Sequence, residues 1–313
     1  MFYRRVGSSG LKVSEISLGS WLTYGGYVER ENAILAIEQA YDLGVNFFDT
    51  ANVYEQGAAE ELVGQTLAPY PRHSYVLATK MYFPMGEGPN DQGLSRKHIM
   101  DQAHASMKRL GLDYIDILYC HRYDEDTPLE ETLRALDDLV TQGKVLYIGV
   151  SEWTAAQMAE SHEIASRYLL DRIVVNQPMY NMFERSIEKE IIPFGEQKGI
   201  GQVVFSPLAQ GLLTGKYNSA SNLPENSRAA KLDFVRDGIT DDKIAKVKQL
   251  GKLAEQLELS MSQLAIAWIL RQKNVASALV GASRPEQVVE NVRASGIQLS
   301  ADVLEQIERI LDN

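Results

Sequence analysis

The stretch "YDLGVNFFDT" (residues 41–50) contains the structural unit that decides the fold. A helical segment stops at a glycine, which accepts the left-handed conformation that closes a last helical turn. An apolar run follows and predicts a buried strand. The same order recurs in three further stretches, "KRLGLDYIDILYCH" (108–121), "TQGKVLYIGVS" (141–151) and "EQKGIGQVVFSP" (196–207).

Further segments bring the number of predicted strands to eight, each followed by a helix. These strands are 13–21, 75–80, 172–178 and 276–281, and helical patterns such as 95–110 and 129–140 lie between strands. Continuous apolar strands separated by helices indicate a parallel sheet covered by helices. Eight such units predict an α/β protein of the (β/α)8 TIM-barrel type. The segment "YRRVGSSGLKV" (3–13) predicts a β-hairpin that caps the barrel floor, and extra helices are expected at the C-terminal end.

The chain length of 313 residues fits either two domains or one large barrel. The recurring unit favours a single barrel domain over residues 1–313. A doubly wound sheet is the alternative, but it usually carries Gly-x-Gly-x-x-Gly after its first strand, and the sequence lacks this pattern. "GLLTGKY" (211–217) resembles a phosphate loop, yet it has one spacer too few and Tyr217 in place of Ser or Thr.

The composition, 45% hydrophobic and 23% charged residues, is typical of a soluble globular protein. The net charge of -11 argues against a nucleic-acid partner, whose phosphates require a basic surface. The single cysteine, Cys120, excludes an intrachain disulfide, and the N-terminus lacks the apolar core of a signal peptide. No apolar run approaches the roughly 18 residues of a membrane span. We therefore expect a cytoplasmic protein without membrane insertion.

Polar residues stand where the predicted strands end, which is where barrels carry their chemistry. They are Asp49, Lys80, His121, Ser151, Gln177 and Ser206, and Gly281 stands at the end of the last strand. A buried carboxylate at Asp49 needs a partner, because an unpaired charge costs several kcal/mol or becomes protonated. Lys80 ends a neighbouring strand and is the predicted partner. Tyr54, in the loop after Asp49, is predicted to approach the same lysine.

This combination predicts a site for carbonyl reduction. An ammonium beside a phenol stabilises the phenolate, so Lys80 is expected to lower the pKa of Tyr54 from its usual value near 10 and make it a proton donor. Asp49 would hold the lysine, and His121 would supply a second hydrogen-bonding group for a substrate oxygen. The hydride would come from elsewhere.

Each of these residues also has an interpretation without function. Asp49 and Lys80 could form a structural ion pair, and Tyr54 could pack or bond within its loop. His121 follows Cys120, but no second cysteine or suitably spaced histidine supports a metal site, so none is predicted.

Seven ordered blocks, which cover nearly the whole chain, resemble the aldo-keto reductases. They are "FFDTANVYEQGAAEELVG" (47–64), "LATK" (77–80), "DILYCHRYDEDTP" (116–128), "IGVSEW" (148–153), "NQPMYNMF" (176–183), "FSPLAQGLLTGKY" (205–217) and "GASRPEQVVEN" (281–291). The resemblance implies a (β/α)8 barrel that binds NADP(H) without a Rossmann fold. It also implies an oxidoreductase that acts on CH–OH groups and takes a small carbonyl substrate.

Within this family the chain is most similar to the branch that contains the β subunits of voltage-gated potassium channels. The similarity lies in "GLSRKHI" (93–99), "QLAIAWILR" (263–271) and residues 281–291. That branch includes oxidoreductases and channel regulators and often assembles as tetramers. By this resemblance a homo-oligomer is possible, a tetramer in particular, and the sequence leaves the oligomeric state open.

The family's catalytic tetrad carries over as Asp49, Tyr54, Lys80 and His121. By resemblance Tyr54 is the general acid, Lys80 and Asp49 tune it, and His121 orients the carbonyl. In the channel β subunits the histidine position is an asparagine, so His121 favours enzymatic turnover.

The resemblance also assigns residues to the cofactor. Ser151 and Gln177 match the positions that hold the nicotinamide carboxamide, Phe205 the position that stacks on the ring, and Trp21 a position near the mouth. Glu152 stands where the family commonly has asparagine. The remaining assigned positions are Ser206, Leu208, Gly211, Lys216, Arg228, Gly281, Ser283, Arg284, Gln287, Glu290 and Asn291.

The basic residues of that set, Lys216, Arg228 and Arg284, predict a preference for NADPH over NADH through the 2'-phosphate. A helix N-terminus beside Ser283 and Arg284 would favour phosphate. Without the resemblance, the same residues are interpreted as a plain helix start and solvated loop charges.

Three functions remain open on the sequence. The first is an NADPH-dependent reductase of aldehydes or activated ketones, and the second is an NADPH-sensing regulatory subunit that binds a membrane protein. The third is a lyase or aldolase whose Lys80 forms a Schiff base. Substrate choice is expected to depend on loops 81–93, 122–128 and 217–240, with an apolar lining from Tyr82, Phe83 and Met85.

Overall fold

The computed structural model of the protein describes residues 1–21, 28–224 and 227–312, without the side chains at 228, 231 and 234. Within these ranges eight parallel strands close into a barrel, preceded by a two-stranded antiparallel sheet. In chain order the strands are β1 (Tyr3–Arg5), β2 (Lys12–Ser14), β3 (Ile16–Gly19), β4 (Phe47–Asp49), β5 (Val76–Met81), β6 (Ile115–Cys120), β7 (Val145–Ser151), β8 (Ile173–Gln177), β9 (Gly201–Phe205) and β10 (Val275–Val280). The barrel consists of β3 to β10, so the predicted (β/α)8 barrel is confirmed.

Helices cover the outside of the barrel. In the described part they are α1 (Arg30–Asp42), α2 (Ala58–Leu67), α3 (Arg96–Leu110), α4 (Leu129–Thr141), α5 (Ala155–Tyr168), α6 (Ile191–Lys198), α7 (Arg228–Lys231), α8 (Asp233–Asp237), α9 (Asp241–Gln256), α10 (Met261–Leu270), α11 (Pro285–Val292) and α12 (Ala301–Asp312). Each strand from β3 to β10 is followed by a helix, and α12 is an addition at the C-terminal end. None of the helices in the described ranges has both the length and the apolar character that a membrane crossing requires.

The N-terminal hairpin closes the amino-terminal end of the barrel. Strands β1 and β2 pair antiparallel, and Val6 and Val13 are fully buried in one cluster with barrel residues. Ser8 N donates to Gly199 O, just before β9, at 2.9 Å. The predicted hairpin is therefore confirmed in the predicted place.

The prediction that residues 13–21 form one strand is wrong. Glu15 N donates to Phe2 O at 3.0 Å, whereas Glu15 O accepts from Ala278 N at 2.8 Å. The chain therefore changes partner at Glu15. The residues before it pair with β1, and the residues after it pair with β10. An apolar pattern cannot report this change of partner, because it indicates which residues are buried and not which strand each residue pairs with.

The helix ends explain why the repeated glycines signal the fold. Gly111 follows α3 with φ 68°, and Gly199 follows α6 with φ 74°, both left-handed.

Inside the barrel a different glycine, Gly149, makes room for Tyr119, because a Cβ there would lie 2.5 Å from the tyrosine ring. That ring centroid lies 5.9 Å from Lys80 Nζ, so it forms part of the packing around the lysine.

Candidate active site

Asp49 and Lys80 form a buried ion pair at the carboxyl end of the barrel. Asp49 ends β4, Lys80 is the last residue but one of β5, and these strands pair in parallel. Lys80 Nζ contacts Asp49 Oδ1 and also donates to Thr50 O at 2.9 Å. Both side chains are only 1% exposed. Asp49 therefore has the partner that its burial requires.

Tyr54 reaches the same lysine through a tight turn. Its hydroxyl lies 3.5 Å from Lys80 Nζ. The turn Tyr54–Gly57 contains left-handed Glu55 (φ 48°) and Gln56 (φ 52°) and ends with Gly57 at φ 96°. Left-handed residues other than glycine cost about 1–3 kcal/mol each and persist only where the surrounding structure holds them.

A second ion pair, between the buried Glu60 and the partly buried Arg109, supports this turn. Glu60, in the first turn of α2, accepts from Thr79 Oγ1 at 2.5 Å and pairs with Arg109 Nε at 2.6 Å. Thr79 immediately precedes Lys80, and Glu60 follows the Tyr54 turn by a few residues. Strand β5 and helix α2 are therefore tied together next to the Tyr54–Lys80 contact.

His121 stands on the other side of Tyr54. It follows β6, and its ring centroid lies 5.8 Å from that of Tyr54 and 4.9 Å from that of Phe83. Among the described residues, its buried Nδ1 has no hydrogen-bond partner. Burial, and then the charges of Lys80 and Arg122, hold the pKa of His121 well below 6.5. The imidazole is therefore neutral at physiological pH.

The pKa of Tyr54 differs from the sequence-based prediction. Burial raises it above 10, and this effect exceeds the opposing effect of the Lys80 ammonium. The expected net lowering is wrong, because a phenolate loses more solvation in this closed site than one lysine at 3.5 Å restores. Burial lowers the pKa of Lys80, but Asp49 and Tyr54 overcompensate, so it lies above 10.5. Tyr54 is thus a protonated phenol beside a charged ammonium.

Three of the residues assigned to the nicotinamide, Ser151, Gln177 and Phe205, end the neighbouring strands β7, β8 and β9. Ser151 Oγ donates to Gln177 O at 2.9 Å, and Gln177 Nε2 donates to Asp49 Oδ2 at 2.8 Å. Gln177 therefore orients the carboxylate that holds Lys80, a contact that the sequence does not predict. Phe205 ends β9 and is half-buried, as is Trp21, which immediately precedes the undescribed residues 22–27.

Glu152, the departure from the family pattern, has a structural partner. Its backbone is left-handed, with φ 58°, and its Oε1 accepts from Met179 N at 2.7 Å. The carboxylate thus fastens the loop after β8 to the end of β7.

The loop after β9 has an unusual backbone. Ser206 (φ 52°), Ala209, Gln210 and Gly211 (φ 97°) are all left-handed. Gln210 Nε2 donates to Ser206 Oγ at 2.9 Å. Leu208 is half-buried, and a Cβ on Gly211 would lie 3.0 Å from Lys216 Nζ.

The second set of assigned residues surrounds the start of α11. Ser283 N and Oγ both donate to Gln287 Oε1, at 2.8 and 3.1 Å, and Arg284 is exposed at the helix start. Gly281 is exposed after β10, Glu290 is half-buried, and Asn291 is buried. Helix α10 packs against both α11 and the turn at 209–214. The side chain of Arg228 lies outside the described part.

A comparison with known protein families identifies the family of this chain. The model of the Aldo/keto reductase family matches residues 15–312. The chain belongs to the aldo/keto reductase family. Family membership indicates an oxidoreductase.

Two curated relatives of this aldo/keto reductase carry the name "Probable voltage-gated potassium channel subunit beta". The relative from Oryza sativa subsp. japonica is 41% identical and that from Arabidopsis thaliana 43% identical, each over 321 residues. Each comparison covers 100% of this chain and 97% of the relative. The predicted similarity to the channel β-subunit branch is therefore confirmed.

Sequence reasoning missed Glu60 in this aldo/keto reductase. A signal for it exists, because Glu60, Val63, Gly64 and Leu67 follow the spacing of one helix face and all four are buried. A buried carboxylate on the apolar face of a helix requires a partner, which here is the partly buried Arg109.

Cys120 takes no part in this arrangement. It is fully buried, and burial raises the pKa of its thiol far above its usual range. Within the described ranges, no three His, Cys, Asp or Glu residues are grouped to hold a metal ion.

Proposed function

We propose that this protein is an NADPH-dependent reductase of aldehydes or activated ketones, with Tyr54 as the proton donor. The contact of the Tyr54 hydroxyl with the Lys80 ammonium, beside a neutral His121, carries this proposal. All three groups lie at the carboxyl end of the barrel, where such folds bind their substrates.

Side chains of the protein itself provide the proton that the carbonyl oxygen receives during reduction. Tyr54 donates its proton to the carbonyl oxygen, and Lys80 stabilises the phenolate that remains. Asp49 keeps Lys80 charged, and Gln177 and Thr50 fix the positions of Asp49 and Lys80. A neutral His121 donates a hydrogen bond to the same oxygen without competing for the transferred proton.

Two features of the chain fit a nicotinamide dinucleotide. The buried Nδ1 of His121 lacks a partner among the described residues, so a polar group bound at the mouth would satisfy it. Gly211, in the left-handed turn after β9, has no side chain, so a ligand can approach the backbone closely there.

We assign the nicotinamide end to Trp21, Ser151, Gln177 and Phe205. The assigned phosphate and adenine residues are Ser206, Leu208, Gly211, Lys216, Arg228, Gly281, Ser283, Arg284, Gln287, Glu290 and Asn291. When bound, the cofactor supplies a hydride to the carbonyl carbon.

The Tyr54→Phe variant tests the proposal. Loss of the proton donor should slow NADPH oxidation about 10²–10⁴-fold with every aldehyde, ketone or quinone that the parent reduces. NADPH affinity, measured by fluorescence titration, should remain. Tyr70→Phe is the matched control, because Tyr70 packs against Tyr41 in the outer layer. Undiminished turnover by Tyr54→Phe would contradict the assigned mechanism.

The names of the relatives support a second candidate, a regulatory subunit of a potassium channel that senses NADPH. A stable complex with a solubilised channel of the same organism, seen by gel filtration, would support this role. The possible homo-oligomer, a tetramer by resemblance, and the cytoplasmic location stay predictions.

The third candidate, a Schiff-base lyase, conflicts with the charge state of Lys80. Its raised pKa keeps the amine protonated and therefore poorly nucleophilic. Borohydride in the presence of substrate should leave the mass of the protein unchanged.

A further inference from the structure

Arg122 lies beside the proposed reacting groups, but the proposed mechanism does not use it. It follows His121, and its Nη1 donates to His121 O at 2.5 Å. Its guanidinium carbon lies 5.5 Å from the centroid of Phe83, whose ring packs against His121. Phe83 therefore links the guanidinium to the histidine at the mouth of the barrel.

No acidic side chain of the described residues forms a salt bridge with Arg122. Residues 22–27 contain no acid, and Glu225 lies outside the described residues. Asp124, the acid closest in sequence, is engaged in its own loop. It accepts from Leu94 N at 2.7 Å, Thr127 Oγ1 at 2.7 Å and Asp126 N at 3.0 Å.

The positive charge of Arg122 acts on the site itself. It lowers the pKa of both Tyr54 and His121, although it is not the largest influence on either. A half-buried guanidinium next to an aromatic ring offers a planar set of donors that matches a carboxylate. On a chain of net charge -11, a guanidinium that has no acidic partner among the described residues fits an anion from outside the protein.

We propose that Arg122 binds a carboxylate of the substrate, so that the preferred substrates are aldehydes or ketones that also carry a carboxylate. This inference rests on the proposed reductase function. The carbonyl lies against Tyr54 and His121, the apolar spacer against Phe83, and the carboxylate against the guanidinium. Arg122 is thereby a residue that determines specificity.

A purely structural role for Arg122 has different consequences. Its hydrogen bond to His121 O could serve only to position the histidine. In that case its loss would slow charged and uncharged substrates equally. A binding role affects only the charged substrate.

The test uses two substrates of similar shape, 4-carboxybenzaldehyde and methyl 4-formylbenzoate. The parent should show the higher kcat/KM for the acid. Arg122→Gln should lower kcat/KM for the acid about 10- to 100-fold, as expected for a charge-assisted hydrogen bond, with little change for the ester. Arg122→Lys should retain part of the preference. Arg167→Gln is the control, because Arg167 is exposed on α5 and pairs there with Glu163.

Equal loss with both substrates, or no preference for the acid in the parent, would overturn the role of Arg122. Calorimetric titration with benzoate and with benzamide, in the presence of NADPH, tests whether Arg122 binds a carboxylate without requiring turnover. Benzoate should bind more tightly than benzamide to the parent but not to Arg122→Gln. If the parent reduces neither these two aldehydes nor any other aldehyde, ketone or quinone, the proposed reductase function fails, while the benzoate result still decides whether Arg122 binds carboxylates.

Discussion

At the scale of single residues, Lys80 determines the charge balance of the site. It neutralises Asp49, which is as deeply buried as the lysine itself. Lys80→Met would leave a buried carboxylate without a cation, and we expect the free energy of unfolding to fall by about 3–5 kcal/mol. Denaturant titration measures the loss.

The double variant Asp49→Asn/Lys80→Met provides the control for this prediction. With the carboxylate removed, most of the lost stability should return, because the amide can still accept from Gln177. A double variant as unstable as the sum of the single variants would show that the two residues do not interact energetically.

The lowered pKa of His121 leads to a separate prediction about how stability depends on pH. Its pKa in the folded protein lies well below the 6.5 of the unfolded chain, so below pH 6.5 only the unfolded state takes up this proton. The neutral His121 therefore makes its full contribution to the free energy of unfolding above pH 6.5. As the pH falls from 6.5 towards the pKa in the folded protein, the free energy of unfolding decreases by up to about 1.4 kcal/mol per pH unit.

His121→Asn removes this proton uptake and keeps a polar side chain of similar reach. Between pH 6.5 and pH 5, the free energy of unfolding should fall less in this variant than in the parent. Parallel denaturant titrations at the two pH values measure the difference. Identical pH dependence would mean that His121 is not held neutral by its surroundings.

At the scale of elements, the turn Tyr54–Gly57 determines where the phenol lies. Gly57 has φ 96°, and a Cβ there would lie 2.5 Å from Cδ of Arg109, which Glu60 holds in place. Gly57→Ala should therefore cost the strain of a left-handed alanine and also disturb the Glu60–Arg109 pair. We expect a lower melting temperature and a lower kcat, because Tyr54 moves relative to Lys80.

Gly111→Ala is the matched control. Gly111 is also left-handed, with φ 68°, but no atom lies within 4 Å of the added Cβ. It should cost only backbone strain of about 1 kcal/mol and leave kcat unchanged. Equal effects of the two variants on kcat would indicate that contact with Arg109 does not position Tyr54.

At the scale of the whole molecule, the barrel brings distant segments to one face. The turn at 209–214 and helix α11 both pack against α10. Lys216 follows this turn by two residues, and Arg284 is the N-cap of α11. If these cations recognise the 2'-phosphate, then Lys216→Ala and Arg284→Ala should each lower kcat/KM for NADPH about tenfold and leave that for NADH nearly unchanged.

Arg293→Ala, at the opposite end of α11, controls for the loss of a positive charge from the same helix. Steady-state kinetics with both cofactors should show no change in the NADPH/NADH ratio for this variant. A parent enzyme with equal efficiency towards NADPH and NADH would contradict the proposed charge recognition.

The sequence by itself determined the barrel, its hairpin and the strand ends at which Asp49, Lys80 and His121 stand. Apolar runs and helix-ending glycines are local signals, and their periodicity follows from the geometry of strands and helices. Only the tertiary structure decided that Gln177 orients Asp49, that Glu60 and Arg109 support the Tyr54 turn, and that Arg122 is without an acidic partner in the described part. It also decided that burial outweighs Lys80 in setting the pKa of Tyr54. Desolvation and side-chain pairing depend on which segments meet in space, and the spacing of residues along the chain does not carry that information.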